Sequence, residues 1–280
     1  MEYNFNKIWE KCLAFNIEQK PEEFKGLLDL LASSDNRKYA LEIGSNYGGT
    51  SFGLCHIYEN VISLDIKHHP NFDKIRESFP SYNYIISDST SNDTVNLIKS
   101  LDIKFDLIFI DGDHSYEGVK NDYEKYKQFL SDDGYLAFHD IIQSKETEGY
   151  NIFVSKFWNE LAETYTKRFE FIAKERDNSF NRDNEFHRIL KDQRYDVWGG
   201  IGLLRNSRVA IFSHNFLDNH WENIVEDQIV KIQESGLYKR ADKIFYGVYS
   251  QKDLDYETFK SLLKKYDPDI KIEIVRYSVN

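Results

Sequence analysis

The sequence has little cysteine, proline or methionine. Its 280 residues include two Cys, four Pro and one Met. Cys12 and Cys55 cannot build a disulfide framework, so we expect a reducing, cytoplasmic location. The four Pro and 14 Gly are too few for a collagen or a low-complexity linker protein. The N-terminus shows no signal-peptide pattern, and no apolar run approaches the roughly 20 residues of a membrane span.

Basic residues are also scarce relative to acidic ones. The 36 Lys and Arg against 47 Asp and Glu leave a formal net charge of -11. This balance argues against a broad nucleic-acid surface, although it leaves a local basic patch open. The hydrophobic content of 41% and the aromatic content of 15% suffice for an ordered core. We expect neither a nucleic-acid nor a membrane partner. A homo-oligomer stays open.

Predicted strands and helices alternate along the chain, which favours an α/β fold with a doubly wound, Rossmann-like parallel sheet. Residues 4–33 read as helical. Strands are predicted at 39–43, 61–66, 82–87, 105–110, 134–138, 170–173 and 197–204. Helices are predicted at 50–58, 72–79, 94–101, 115–130 and 150–169, while 174–194 resist assignment.

The alternation restarts after residue 205. Strands are predicted at 209–212, 243–248 and 270–277, with helices at 221–235 and 256–266 between them. We therefore expect an N-terminal helical segment at 1–34, a main α/β domain at 35–205 and a smaller α/β block of unknown role at 206–280. Because the block ends on a strand with nothing to cover it, we expect a longer natural chain.

A glycine loop lies where the first strand turns into a helix. Residues 41–50 read LEIGSNYGGT, and glycines here let the backbone turn tightly and approach a ligand. Three residues separate Gly44 from Gly48, so the dinucleotide fingerprint G-x-G-x-x-G fails. Asp65 ends the second strand, where an acidic residue can bind a ribose diol. A strand-to-helix turn without a ligand is the alternative.

The acidic-x-Gly-x-x-x-Gly pattern resembles that of the class I S-adenosylmethionine-dependent methyltransferases. That cofactor carries no phosphate, so a looser loop suffices. Asp88, which follows the third strand, would contact the adenine side by this resemblance, or it could cap the next helix, or both. The resemblance implies these cofactor contacts: Glu42, Gly44, Ser45, Tyr47, Gly48, Asp65, Asp88 and Asp111.

Carboxylates and histidines follow the fourth and fifth strands. Residues 109–118 read FIDGDHSYEG and residues 138–140 read FHD. The carboxyl ends of neighbouring parallel strands meet in one crevice, so Asp111 and Asp140 should face one point. Such a pair suits Mg²⁺ or Ca²⁺, and His114 is close enough to act as a general base. A cation would stabilise the oxyanion of a reacting hydroxyl, while histidine takes up its proton near neutral pH.

These two motifs resemble the metal-dependent sugar O-methyltransferases, which act on macrolide and glycan sugars and have relatives labelled cephalosporin hydroxylases. The resemblance covers about residues 35–205. It implies that Asp111 and Asp140 are metal ligands and that His114 is the catalytic base, with Asp111 at the catalytic centre. The family often has an acidic metal ligand where this chain has His139. Either His139 is not a ligand, or the metal is softer than Mg²⁺, for example Mn²⁺.

The leading hypothesis is a metal-assisted, S-adenosylmethionine-dependent O-methyltransferase that acts on a sugar hydroxyl of a glycan, nucleotide sugar or glycosylated product. The resemblance therefore implies a small-molecule or glycan substrate. One rival is an NAD-dependent oxidoreductase. The other is a non-catalytic module whose C-terminal block binds a glycan or a partner. Asp113 or Ser115 could cap the helix at 115–130. Tyr47, Tyr116 and Trp198 are candidates to line a sugar pocket.

Overall fold

The computed structural model describes residues 3–163, 165, 167–173, 198–205, 209–216, 230–231, 243–250 and 272–277. The chain divides into two compact units, Met1–Asn206 and Ser207–Asn280. Within the described residues, no helix combines the length and the apolar character that crossing a membrane requires.

The first unit alternates helices with strands. Its helices are α1 (Phe5–Ala14), α2 (Pro21–Ala32), α3 (Gly49–Leu54), α4 (Pro70–Ser78), α5 (Asn92–Ser100), α6 (Tyr116–Tyr126), α7 (Lys145–Gly149) and α8 (Val154–Ala162). Its strands are β1 (Tyr39–Ile43), β2 (Asn60–Asp65), β3 (Tyr82–Ile86), β4 (Phe105–Ile110), β5 (Leu130–His139), β6 (Lys167–Phe171) and β7 (Ile201–Arg205). A 3₁₀ turn, Lys127–Phe129, joins α6 to β5.

The strands form one seven-stranded sheet in the order β3-β2-β1-β4-β5-β7-β6. Strands β1 to β5 pair in parallel, and β7 runs antiparallel to both β5 and β6. This arrangement confirms the predicted doubly wound, Rossmann-like α/β fold. The strand order reverses between β1 and β4, and in such sheets ligands bind at the carboxyl ends of the strands beside that reversal.

Apolar side chains pack on both faces of this sheet. Strand β4 is buried along its whole length, as its continuous apolar run predicts for a central parallel strand. The register pairs Ile43 with Ile110 and Ile110 with Phe138. The residues that follow β1, β4 and β5 therefore emerge at the same edge of the sheet.

In the second unit, the structure describes three parallel strands. They are β8 (Val209–Phe216), β9 (Lys243–Ser250) and β10 (Ile272–Tyr277), in the order β10-β9-β8. The predicted strands at 209–212, 243–248 and 270–277 are thus confirmed. Residues 230–231 are helical, and the rest of the helices predicted at 221–235 and 256–266 lies outside the described residues.

Two predicted helices were wrong in extent. Residues 4–33 form two helices, because Asn16 adopts a left-handed φ of 55° and Pro21 starts a new helix, where its missing N–H costs nothing. The helix predicted at 150–169 ends at Ala162, and residues 167–171 pair with β7 as an edge strand. Sheet pairing overrides the weak helical preference there. All of 174–194 lies outside the described residues.

Candidate active site

The glycine loop between β1 and α3 is shaped by its packing. Gly44 and Gly48 have φ values of +85° and +87°, a region that disfavours other residues. A Cβ on Gly44 would lie 2.0 Å from the backbone oxygen of Asp111, and one on Gly48 would lie 2.8 Å from Cδ1 of Ile75. Close approach of the protein to itself therefore accounts for both glycines. The cofactor contacts of Gly44, Ser45 and Gly48 stay predictions.

Asp65 at the end of β2 holds the glycine loop in place. Its Oδ2 accepts a hydrogen bond of 2.7 Å from the N–H of Asn46, and its Oδ1 accepts one of 3.0 Å from the N–H of Lys67. Each carboxylate oxygen can accept a second hydrogen bond. The neighbouring Tyr47 is 38% exposed and meets the ring of His69 edge-on. Asp65 and Tyr47 therefore stand at the open edge of the sheet, where a ligand can reach them.

Glu42 lies beneath the loop rather than at its surface. Its side chain is 1% exposed and accepts a hydrogen bond from the hydroxyl of Ser51. Burial raises the pKa of Glu42 to about 8, and the charges of Asp111 and Asp65 add to this effect, while the hydrogen bond from Ser51 opposes it. Its role as a cofactor contact stays a prediction.

Serines cap the two helices that follow β3 and β4. Ser91 caps α5 and Ser115 caps α6, each by accepting a hydrogen bond from a backbone N–H of the first turn. Asp88 instead accepts hydrogen bonds of 2.7 Å from the N–H and the hydroxyl of Thr90, so its alternative role as a helix cap was wrong. Of the two capping candidates for α6, Ser115 was right. The adenine contact of Asp88 stays a prediction.

The structure brings the predicted catalytic and metal-binding residues together. His114 lies between two carboxylates, with Nε2 3.2 Å from Oδ1 of Asp111 and Nδ1 2.9 Å from Oδ2 of Asp140. Nδ1 of His139 is 3.3 Å from Oδ1 of Asp111 and 3.6 Å from Oδ1 of Asp140. Asp140 adopts a φ of +63°, a strained conformation that is frequent at functional sites.

Charge pairing dominates the electrostatics of this cluster. Burial disfavours the charged forms of both imidazoles, but Asp111 and Asp140 outweigh it and hold the pKa of His114 and of His139 well above the ordinary value. In the same way, the pKa of Asp111 and of Asp140 lies below the ordinary value despite burial, because both face the histidines. The cluster therefore consists of imidazolium and carboxylate pairs as the side chains stand.

Over the part of the chain that the structure describes, no group of three or more His, Cys, Asp or Glu side chains is arranged to hold a metal ion. The predicted ligands Asp111, His139 and Asp140 are neighbours, but they contact one another as ion pairs. Oδ1 of Asp140 is buried without a hydrogen-bond partner. The metal therefore stays a prediction.

Three residues of the site were missed by the sequence analysis. Gln19 Nε2 donates a hydrogen bond of 2.7 Å to Oδ2 of Asp111, and Oε1 of Glu23 lies 3.2 Å from Nε2 of His139. The Nζ of Lys20 donates to the backbone oxygen of Trp198 and lies 4.5 Å from the centre of its ring. The run QKPEE at 19–23, with proline among charged residues, marks a helix start and could have revealed the break.

The aromatic candidates for a sugar pocket differ in how far their rings are exposed and in which side chains already contact them. Trp198 is 8% exposed, and Lys20 covers its ring. The hydroxyl of Tyr116 donates to Glu160 at 2.6 Å, and the Nζ of Lys156 lies 4.7 Å from the ring centre. Tyr47 is the most exposed of the three. The sugar pocket stays a prediction.

Residues 41–141 match the model of a protein family described as a methyltransferase domain. The match extends from the glycine loop through Asp140 and agrees with the class of enzyme that the loop predicts. It spans these predicted site residues: Glu42, Gly44, Ser45, Tyr47, Gly48, Asp65, Asp88, Asp111, His114, His139 and Asp140. No curated protein matches the sequence.

Among solved structures, the N-methyltransferase NodS from Bradyrhizobium japonicum WM9 is 14% identical in sequence. The alignment covers 68% of this chain and 99% of the NodS chain, with a TM-score of 0.45. A putative caffeoyl-CoA O-methyltransferase from Staphylococcus aureus is 13% identical, with coverages of 73% and 93% and a TM-score of 0.45. MycE from the mycinamycin biosynthetic pathway, in complex with Mg and SAH, is 16% identical, with coverages of 50% and 40% and a TM-score of 0.40. We draw no functional conclusion from likenesses of this size.

Proposed function

We propose that this chain is an S-adenosylmethionine-dependent O-methyltransferase that methylates a sugar hydroxyl of a glycan, nucleotide sugar or glycosylated product. One observation carries the proposal. His114 is held between Asp111 and Asp140 at the carboxyl edge of the sheet, beside the glycine loop. This cluster lies within the segment that matches methyltransferase domains.

The residues around the loop fit the cofactor. Asp65 keeps free lone pairs for a ribose diol while it fixes the loop through Asn46, and Tyr47 is exposed beside it. Bound S-adenosylmethionine supplies a methyl group on a sulfonium. The methyl carbon bonds to the acceptor oxygen, the bond from carbon to sulfur breaks, and its electron pair stays on sulfur.

His114 is proposed to take the proton that the hydroxyl loses. In the free protein both ring nitrogens face carboxylates, which favours the charged imidazolium. A base must be neutral, so one of these contacts has to loosen in the complex. A positive charge that competes for Asp111 and Asp140 lowers the pKa of His114. Its side chain is 33% exposed, so a substrate can reach it.

The charge of the cluster fits a divalent cation. Asp111, Asp140 and Glu23 contribute three carboxylates around His139, whereas Lys20 contributes one fixed positive charge. With all three carboxylates ionised, the excess of two negative charges can be balanced by protons on the imidazoles or by one divalent ion. Oδ1 of Asp140 is buried and accepts no hydrogen bond, so its lone pairs could ligate such an ion in place of its ion pair with His139.

We propose that Asp111 and Asp140 would hold Mg²⁺, and that His139 would join them for a softer ion such as Mn²⁺. The ion would stabilise negative charge on the acceptor oxygen. The orientation of His139 agrees with this, since its Nε2 faces Glu23, and metal-binding histidines usually donate their second N–H to such an acceptor.

The free thiols of Cys12 and Cys55 support the proposed cytoplasmic location.

Calorimetric titration with S-adenosylmethionine tests the cofactor, with NAD titrated in parallel. We expect micromolar binding of S-adenosylmethionine; no binding at saturating concentration would overturn the proposal, and tighter binding of NAD would favour an oxidoreductase. Formation of S-adenosylhomocysteine is then measured over sugars, nucleotide sugars and catechols. Binding without turnover on any acceptor would favour a non-catalytic module.

His114→Asn tests the base, with His68→Asn as the matched control because His68 is exposed and lies in the loop after β2. We expect the His114 variant to lose about 10²- to 10⁴-fold in kcat, the usual contribution of a general base, while the control keeps its rate. Equal rates for the two variants would remove His114 from the mechanism.

A further inference from the structure

The connection between α1 and α2 (residues 15–20) runs across the glycine loop. A Cβ on Gly49 would lie 2.3 Å from Cα of Ile17, so the two backbones touch. Oε2 of Glu18 accepts a hydrogen bond of 2.8 Å from Nδ2 of Asn46. The first 34 residues therefore include a segment that lies directly on the proposed cofactor site.

Gln19 in this connection links the helix that follows the glycine loop to Asp111 of the proposed catalytic cluster. Its Oε1 accepts a hydrogen bond from the hydroxyl of Thr50, on α3. Its Nε2 donates to Oδ2 of Asp111 at 2.7 Å. Both ends of one carboxamide are used, which leaves Oδ1 of Asp111 directed at His114 and His139. Gln19 is 1% exposed, so water cannot replace these contacts.

Glu23, in the first turn of α2, makes a second such junction. Its Oε1 accepts a hydrogen bond of 2.7 Å from the N–H of Lys20 and lies 3.2 Å from Nε2 of His139. Its Oε2 accepts a hydrogen bond of 2.7 Å from the N–H of Gly200. A Cβ on Gly199 would approach Oε2 of Glu23 to 3.3 Å. The turn before β7 is therefore built around this carboxylate.

Stability alone does not explain these polar groups. Taking a carboxylate out of water is costly, and replacing a buried ionic group by a well-packed apolar one is often neutral or stabilising. Glu23 is 0% exposed, and its hydrogen-bond partners come from the α1–α2 connection, the end of β5 and the turn before β7. Its contacts therefore fix the positions of those three parts of the chain relative to one another.

We propose that Gln19, in the α1–α2 connection, and Glu23, in the first turn of α2, are part of the catalytic site, with Gln19 positioning Asp111 and Glu23 positioning His139. This inference rests on the proposed function, because it assigns Asp111 and His139 to the reacting centre. Residues that orient the groups of a catalytic centre commonly contribute about 10- to 100-fold to activity or metal affinity.

The test compares Gln19→Met and Glu23→Gln with the exposed controls Gln128→Met and Glu22→Gln. We expect Gln19→Met and Glu23→Gln to lower kcat by about 10- to 100-fold, with less than about a threefold change in the Kd for S-adenosylmethionine and unchanged kcat in both controls. A loss of thermal stability with kcat intact in both Gln19→Met and Glu23→Gln would overturn the inference, because it would show a purely structural role.

A second measurement does not depend on activity. Diethyl pyrocarbonate modifies histidines that are both accessible and uncharged, and mass spectrometry locates the modified residue. His139 is 4% exposed and should be protected in the unaltered protein and in Glu22→Gln, but modified at least fivefold faster in Glu23→Gln well below its melting temperature. Equal protection in all three proteins would overturn the positioning role of Glu23. If the unaltered protein transfers no methyl group, the proposed function fails while this measurement still decides the inference.

Discussion

Glu42→Gln should make the folded protein less sensitive to alkaline pH. Glu42 is buried in β1 between β2 and β4, with the hydroxyl of Ser51 as its hydrogen-bond donor. Asp111, Asp65 and the thiol of Cys55 also face it from the neighbouring elements. Burial raises the pKa of Glu42 from 4.5 to about 8. Glutamine has nearly the same shape and can still accept the hydrogen bond, but it never ionises.

The sign of the effect follows from proton linkage. A carboxyl whose pKa is raised by folding contributes stability that is fully present below its unfolded pKa and is lost as pH rises through its folded pKa. For Glu42 this window runs from 4.5 to about 8. At about 1.4 kcal/mol for each pKa unit, the free energy of unfolding would fall by about 5 kcal/mol at most over that window. Relaxation around a buried charge reduces the measured loss to a few kcal/mol.

Urea unfolding followed by circular dichroism, at pH 5.5, 7 and 8.5 without cofactor, measures this loss. The difference in unfolding free energy between Glu42→Gln and the unaltered protein should grow in favour of the variant as pH rises. Glu77→Gln is the control, because Glu77 is exposed on α4, and its profile should follow that of the unaltered protein. Parallel profiles for all three proteins would refute the assignment of Glu42 as a buried, protonated carboxyl.

Gly44→Ala should destabilise the fold by more than about 2 kcal/mol, because Gly44 has a φ of +85° and a Cβ would lie 2.0 Å from the backbone oxygen of Asp111; an unchanged melting temperature would contradict this. Asp65→Ala should weaken S-adenosylmethionine binding about tenfold, as expected for a lost hydrogen bond to a charged group. Calorimetry measures the Kd, and an unchanged Kd would contradict the proposed role of Asp65. Asp140→Ala should abolish methyl transfer together with any response to added Mg²⁺. If the unaltered protein keeps its activity in excess chelator, the proposed metal requirement is wrong, while the proposed methyltransferase activity still stands.

The sequence was sufficient for the parallel strands β1 to β5 because their signals are local. The apolar run at 105–110 has the length and composition of a strand covered on both faces, and the structure has β4 there, buried throughout. Parallel neighbours then place the residues after β4 and β5 at one edge. That reasoning predicted that Asp111 and Asp140 would meet near His114, and the structure places His114 between them.

The sequence was insufficient where a choice depended on distant partners. Residues 167–171 have no strong preference of their own and become a strand because β7 offers a free edge. Nothing near His139 in the sequence indicates that a glutamate 116 residues away faces its ring. Contacts of this kind depend on how complete helices pack against the sheet.

By itself, then, the sequence determined the doubly wound fold, the glycine loop and the edge at which the acidic residues and histidines collect, since each follows from local apolar patterning and from strand direction. Only the tertiary structure decided the protonation of the cluster and the burial of Glu42. It also decided the entry of Gln19 and Glu23 into the site. The physical reason is that desolvation and charge pairing depend on which side chains become neighbours, and here Glu23 and His139 are neighbours that lie 116 residues apart in the sequence.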